Sequence, residues 1–206
     1  MIDIASPSFG PHLYGAQLHI DAIMPEPFLS DLVAIDVETD EKDNFVGAAI
    51  CVSDKHIYYF SKLNQYLKNR IECVNLIGHN VKFDIKQLIN WGVSLTSENL
   101  YFDTCLASYV QDTTKASHGL KELAKEYLGM EWPNYKEMVG TGRNKQTLDK
   151  QPIEHVAAYC GMDCLATYRL WQYFQKKLTV DQKRYLETIE LPTARALLNI
   201  ELLGVR

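Results

Sequence analysis

Three short stretches of the sequence carry side chains whose types and spacing suit metal chemistry. Asp36 and Glu38 stand two residues apart in LVAIDVE. In a strand, residues i and i+2 point the same way, so the two carboxyls lie side by side within an apolar run. Desolvation and mutual repulsion both disfavour their ionised forms there. A divalent cation removes that penalty, because hard cations such as magnesium take oxygen ligands. The plainer alternative ends the strand near Ile35 and turns both acids to water. Asn80 and Asp84 follow in GHNVKFD, with Asn80 placed to cap a helix and Asp84 one turn further along the same side. Negative charge is favourable in a first helical turn, so a capping Asn and an incidental surface Asp explain that pair equally well. Tyr159 and Asp163 have i, i+4 spacing in HVAAYCGMDCLATYRLW, among neighbours that are almost all apolar or small. An Asp in that setting needs a partner or a metal. A Tyr–Asp hydrogen bond that merely ties the helix down is the alternative.

These residues must be positioned by recognisable elements. LVAIDVE reads as a strand buried on both faces. VGAAICVS and HIYYF follow across a turn-like Asp54-Lys55 and complete an antiparallel meander. Helix and strand then alternate: SKLNQYLKNR helical, CVNLIG a strand, VKFDIKQLINWG a helix ended by Gly92, LYF a strand, and DTCLASYVQ a helix with Asp103 as N-cap. HGLKELAKEYLG is a further helix ended by a glycine. Met130 to Pro152 reads as a long loop, and Ile153 to about Leu178 as a long helix. Pro192 should end or kink the last helical stretch. This order predicts an α/β fold, with a mixed sheet whose first three strands are antiparallel and helices on both faces. The organisation expected is an irregular N-terminal arm over residues 1–30 with one short strand near Leu13–Ile20, a catalytic domain over 31–180, and a helical segment over 181–206.

Taken jointly, D-x-E in a strand, N-x-x-x-D at a helix start and Y-x-x-x-D within a helix resemble the DEDDy exonucleases. More closely, they look like the 3′→5′ proofreading exonuclease domain of family A DNA polymerases. VGAAICVSDKHIYYF, FDTCLASYVQ, HGLKELAKEYLG and VGTGRNKQ also look like parts of that domain, and ELPTARALLNIELLGV resembles its lead-in to a polymerase thumb. The sister family places His five residues before the last Asp. Ala158 stands there, and Tyr159 stands where the tyrosine variant requires it. The resemblance implies a ribonuclease H-like (DnaQ-like exonuclease) fold. It also implies hydrolysis of single-stranded DNA 3′ ends to 5′-mononucleotides, with two divalent ions, Mg2+ or Mn2+. Asp36 would bridge both ions, Glu38 and Asp163 would help hold the first, Asp84 would hold the second, and Tyr159 would orient the attacking water. Thr39, Asn80, Phe83 and Arg143 are candidate substrate contacts. Phe83 and Tyr135 could stack on bases, although a core role is the more usual one for such aromatics. Lys136, Arg143, Lys145 and Lys150 could track the backbone. The stretch TDEKDNF is more acidic than the family pattern and could weaken DNA binding or add a loose metal site. Rival readings are a ribonuclease D-like RNA exonuclease and a non-catalytic nucleic-acid-binding module of the same fold.

Composition sets bounds on these readings. The 206 residues are 47% hydrophobic and 23% charged, which excludes a wholly disordered chain. A net charge of −5 argues against gripping nucleic acid by bulk charge, yet suits a site built from carboxylates. Five cysteines without a Cys-x-x-Cys pair fit reduced, packed thiols, with Cys160 and Cys164 on one helix face. No apolar run approaches the roughly 18 residues of a membrane span, and the start does not read as a secretory signal. The expected setting is therefore cytoplasmic, at the site of DNA replication, with a DNA 3′ end as partner, a polymerase domain in the same or a separate chain as a further one, and no membrane.

Overall fold

The computed structural model of the chain describes residues 12–25, 31–140 and 146–204. Where the sequence suggested an irregular arm, strands β1 (His12–Leu13) and β2 (Ala16–Ile20) form a hairpin. β2 then pairs in parallel with β5 (His56–Phe60), so the hairpin extends the sheet. β3 (Leu32–Thr39), β4 (Phe45–Ser53) and β5 form the expected antiparallel meander. β6 (Asn75–Gly78) joins β3 in parallel, and β7 (Leu100–Asp103) joins β6 in parallel, giving the order β1-β2-β5-β4-β3-β6-β7. This is the expected mixed α/β sheet, with helices packed against it.

Helix α1 (Gln65–Glu72) connects β5 to β6, and α2 (Val81–Asn90) connects β6 to β7. α3 (Thr104–Gln111), α4 (Leu120–Leu128) and the short α5 (Tyr135–Val139) follow. The 25-residue α6 (Ile153–Lys177) lies across β3, β4 and β5. Its middle, from Val156 to Thr167, is mostly small or apolar apart from Asp163 and is buried throughout. Two thiols fasten it to the sheet: Cys164 donates to the Ala34 carbonyl at 3.2 Å and Cys160 to the Asp36 carbonyl at 3.3 Å. Gly161 lets the hairpin close on α6, since a Cβ there would meet Leu18 and Leu13 at 3.2 and 3.3 Å. The long stretch expected as loop contains α5, with Asn134 and Glu137 forming a reciprocal cap.

Pro192 neither ends nor sharply breaks the last helical run. Between α7 (Val180–Tyr185) and α8 (Leu191–Leu202), Leu186–Glu190 form a π-helical turn, and backbone angles stay helical throughout. A proline has no N–H for the carbonyl four residues back and clashes with it, and a widened turn relieves both problems. α8 rests on α2 through Lys82 and Lys86 with Glu201, and on β7 through Arg195 to the Leu100 carbonyl. Among the described residues, no helix is long and apolar enough to cross a membrane.

The junction that sets the start of α2 is Asp103. It caps α3, accepting from the N–H groups of Cys105 and Leu106, as its sequence position suggested. It also accepts from the N–H groups of Asn80 and Val81 at 3.1 and 2.9 Å, and so caps α2 as well. Asn80 holds the N-cap position of α2, but its side chain makes no capping bond, and its backbone is left-handed at φ 63°. The cap expected from Asn80 is thus supplied by a buried carboxylate 23 residues away. Asp103→Ala should cost about 3 kcal/mol, from two lost caps and buried N–H groups left unpaired. Denaturant unfolding checks this, and a loss under about 1 kcal/mol contradicts it.

Candidate active site

Each acid singled out by spacing arrives on a different element. Asp36 and Glu38 project from β3 opposite Ala49 and Gly47 of β4. The space that a Cβ on Gly47 would take is filled by the Tyr59 ring. Asp84 lies in the first turn of α2 and is buried; its Oδ1 accepts the Val37 N–H at 3.0 Å. That bond straps α2 to β3 and sets Asp84 beside the Asp36–Glu38 pair. Asp163 is buried on α6, one turn past the buried Tyr159. The Tyr159 hydroxyl approaches its carboxyl, so the tyrosine and the acid share one face of the helix.

The electrostatics follow from this crowding. Loss of solvent raises the Asp36 carboxyl well above its ordinary value, and Glu38, Asp163 and Asp84 push it up further. Glu38 is pushed up to about 8, by desolvation first and Asp163 next. Asp84 is pushed up to about 8 by burial, against the pull of the Val37 N–H. Burial raises Asp163, and Lys121 and Trp132 oppose it. Burial also raises the Tyr159 hydroxyl, with Asp163 adding to the effect. One Asp36 oxygen, Oδ2, is inaccessible and has no hydrogen-bond partner among the described residues. Ligand atoms of Asp36, Glu38 and Cys160 lie within 4.8 Å of one another. Asp84 and Asp163 stand outside that group and reach Asp36 through their charge. A buried orphan oxygen beside a second carboxylate is what a divalent cation satisfies, so Asp36 and Glu38 fit such an ion.

Two participants escaped sequence reasoning, and Cys160, expected as a packed thiol, is a third. Lys121 of α4 forms an ion pair with Asp163. The Trp132 indole N–H donates to the same Asp163 oxygen at 2.7 Å. Cys160 borders Asp36 as well as packing α6 on the sheet. No local pattern marks the first two, because α4 and the segment after it meet α6 only in the folded chain.

The candidate substrate contacts are distributed unevenly. Thr39 ends β3 at an irregularity in register next to Glu38. Phe83 and Tyr135 are 40% and 39% exposed, so neither is a core residue, contrary to the usual role for such aromatics. Lys136 and Lys150 are exposed, while Arg143 and Lys145 lie outside the described residues. Of the extra acids after Glu38, Asp40 has a structural task. It accepts from the Lys42 and Asn44 N–H groups and the Asn44 side chain, each at 2.8 Å, and so folds the β3–β4 turn.

A family model described as 3′-5′ exonuclease matches residues 27–179. DNA polymerase I of Pseudomonas aeruginosa is 28% identical over 208 residues, an alignment covering 90% of this chain and 23% of the relative. DNA polymerase I of Synechocystis is 37% identical over 131 residues, covering 62% of this chain and 13% of the relative. The chain thus spans less than a quarter of the length of these relatives. Among solved structures, NrnC of Brucella melitensis superposes with a TM-score of 0.63 at 20% identity, over 90% of this chain and 89% of that one. The POL domain of Pol1 from M. smegmatis superposes at 0.58 and 21% identity, over 87% of this chain and 31% of that one. At these identities the superpositions speak for the fold.

The raised carboxyls make stability depend on pH. The folded chain keeps protons on Glu38 and Asp84 up to about pH 8, whereas unfolded carboxyls lose theirs near about pH 4. Between those limits the folded state binds more protons, so its stability falls as pH rises. With chelator present, the melting temperature should drop steadily from about pH 5 to about pH 8, and a divalent ion should shrink that drop. A metal-free melting temperature that is flat or rising across this window contradicts the electrostatic account.

Proposed function

The chain belongs to the 3′-5′ exonuclease family shared with bacterial DNA polymerase I, and on that premise we propose that it removes nucleotides from single-stranded DNA 3′ ends as 5′-mononucleotides, in a proofreading role. The observation that carries this reading is that Glu38 on β3, Asp84 on α2 and Asp163 on α6 all act electrostatically on Asp36, whose Oδ2 has no hydrogen-bond partner among the described residues. Enzymes of this family depend on metal, and we assign Asp36, Glu38, Asp84 and Asp163 to holding two Mg2+ or Mn2+ ions. Bound there, such ions acidify a coordinated water and neutralise charge on the leaving oxygen.

The protein's own groups have distinct tasks. Asp36 feels the charge of all three other acids, which supports assigning it to both ions. Asp84 is fixed by its bond to the Val37 N–H, which locks the distance between α2 and β3. Tyr159, with its hydroxyl pushed further above its usual range, stays a phenol at neutral pH. It therefore orients the attacking water by hydrogen bonding and does not serve as a full base. Phe83, exposed next to Asp84, offers a ring face on which a terminal base can stack. Thr39 and Asn80 flank the acids on β3 and before α2, and Arg143 would track the DNA backbone.

Cleavage of 3′-labelled single strands tests the reading. Magnesium or manganese should support stepwise 3′ shortening, chelation should stop it, and calcium should support little turnover. Full activity after exhaustive chelation excludes the metal assignment, and faster cleavage of RNA than of DNA replaces the substrate class. Asp36→Ala should abolish turnover while leaving the metal-free melting temperature unchanged or higher, since it relieves repulsion. Tyr159→Phe should lower single-turnover cleavage roughly tenfold to a thousandfold with metal affinity little changed. Wild-type cleavage by Tyr159→Phe removes the tyrosine from the mechanism.

A further inference from the structure

Lys121 is unusual in its surroundings. Its ammonium is inserted among the carboxyls, paired with Asp163 Oδ1, and mostly withdrawn from water, with 25% of the side chain exposed. It sits 4.0 Å from the Trp132 ring centre and 4.4 Å from that of Tyr159. Two aromatic faces and a carboxylate therefore form a cation cradle, and the nitrogen that donates to Asp163 beside the lysine belongs to the same Trp132. Lys121 lies in the first turn of α4, and α4 packs against α6. The charge of Lys121 also reaches Asp36 and Glu38. Among four acids on three elements, this ammonium is the only cation in ion-pair contact with one of them among the described residues.

We propose that Lys121 is a built-in cation of the site, which holds Asp163 in place before a divalent ion arrives and competes with that ion for the same carboxylate. The proposal rests on the metal-binding reading above and adds a residue that weakens metal affinity while stabilising the metal-free chain. Two consequences separate it from an ordinary structural ion pair. Removing the ammonium takes away a repulsive charge next to the metal position, so ion binding tightens. Removing it also leaves Asp163 with one fewer partner when no ion is present, so the metal-free chain loses stability.

The test measures Mn2+ binding calorimetrically without DNA, beside thermal melts with chelator and with saturating Mn2+, for the full chain and its Lys121→Met and Lys121→Arg variants. Lys121→Met should bind Mn2+ about tenfold more tightly than wild type. Its melting temperature should fall below wild type in chelator, and the gap should close when Mn2+ saturates. Lys121→Arg keeps the charge, so its affinity should stay within about threefold of wild type. The Mg2+ concentration giving half-maximal cleavage should drop for Lys121→Met in parallel with its binding constant. If that variant does not fold without metal, Lys121→Gln, which keeps a donor for Asp163 but no charge, carries the same expectation. A wild type that binds while the neutral variants bind no more tightly overturns the role of Lys121 alone. A wild type that binds no Mn2+ overturns the metal reading and this proposal with it.

Discussion

Withdrawing Asp36 from water beside Glu38, Asp84 and Asp163 costs free energy that the rest of the chain must offset. Ionised together, the four acids repel one another in a low-dielectric setting, and protonated they leave polar atoms with few partners. The scaffold around them is correspondingly well fastened. α6 is buried along its middle and held to β3 by two thiol hydrogen bonds. α2 is strapped to β3 by Asp84 itself and has its first turn capped by Asp103. Stability lost at the cluster is thus recovered in the apolar contacts that hold the three elements in register.

This arrangement separates two kinds of acid that composition alone cannot distinguish. Asp103 is as buried as Asp163, yet it accepts four backbone N–H groups and is satisfied without any ion. One oxygen of Asp36 has no donor among the described residues. The first is a joint in the scaffold, and the second is the centre of the proposed chemistry. Lys121 lies between these cases: it satisfies Asp163 in part, through a charge that an incoming divalent ion would have to displace.

The pairs proposed to carry the chemistry stood out in the sequence because each obeys a local periodicity. Two residues apart on β3 and four apart on α6 place side chains on one face whatever the rest of the chain does. The antiparallel meander and the length of α6 were legible for the same reason. What escaped depends on contacts between distant segments. Asp103 was readable as the cap of the helix it precedes, but not as the cap of a helix more than twenty residues upstream. Lys121 and Trp132 lie on an ordinary amphipathic helix and the segment after it, and only the packing of α4 on α6 brings them to Asp163. The hairpin at residues 12–20 was blurred because its strands are short and β2 finds its partner in β5, the last strand of the meander and more than thirty residues downstream. The turn around Pro192 was misjudged because a π-helical turn lets the chain continue where a regular α-helix could not.

The central claim is that the carboxyl cluster holds protons when metal-free and exchanges them for divalent ions. Calorimetric titration with Mn2+ at about pH 7, repeated in buffers of different ionisation enthalpy, counts the protons released on binding. Since Glu38 and Asp84 lose their protons only near about 8, and Asp36 is raised well above its ordinary value, saturation should release roughly one proton or more per chain. Binding with no proton release would contradict the account, because the acids would then already be ionised, and the desolvation on which the site depends would be absent.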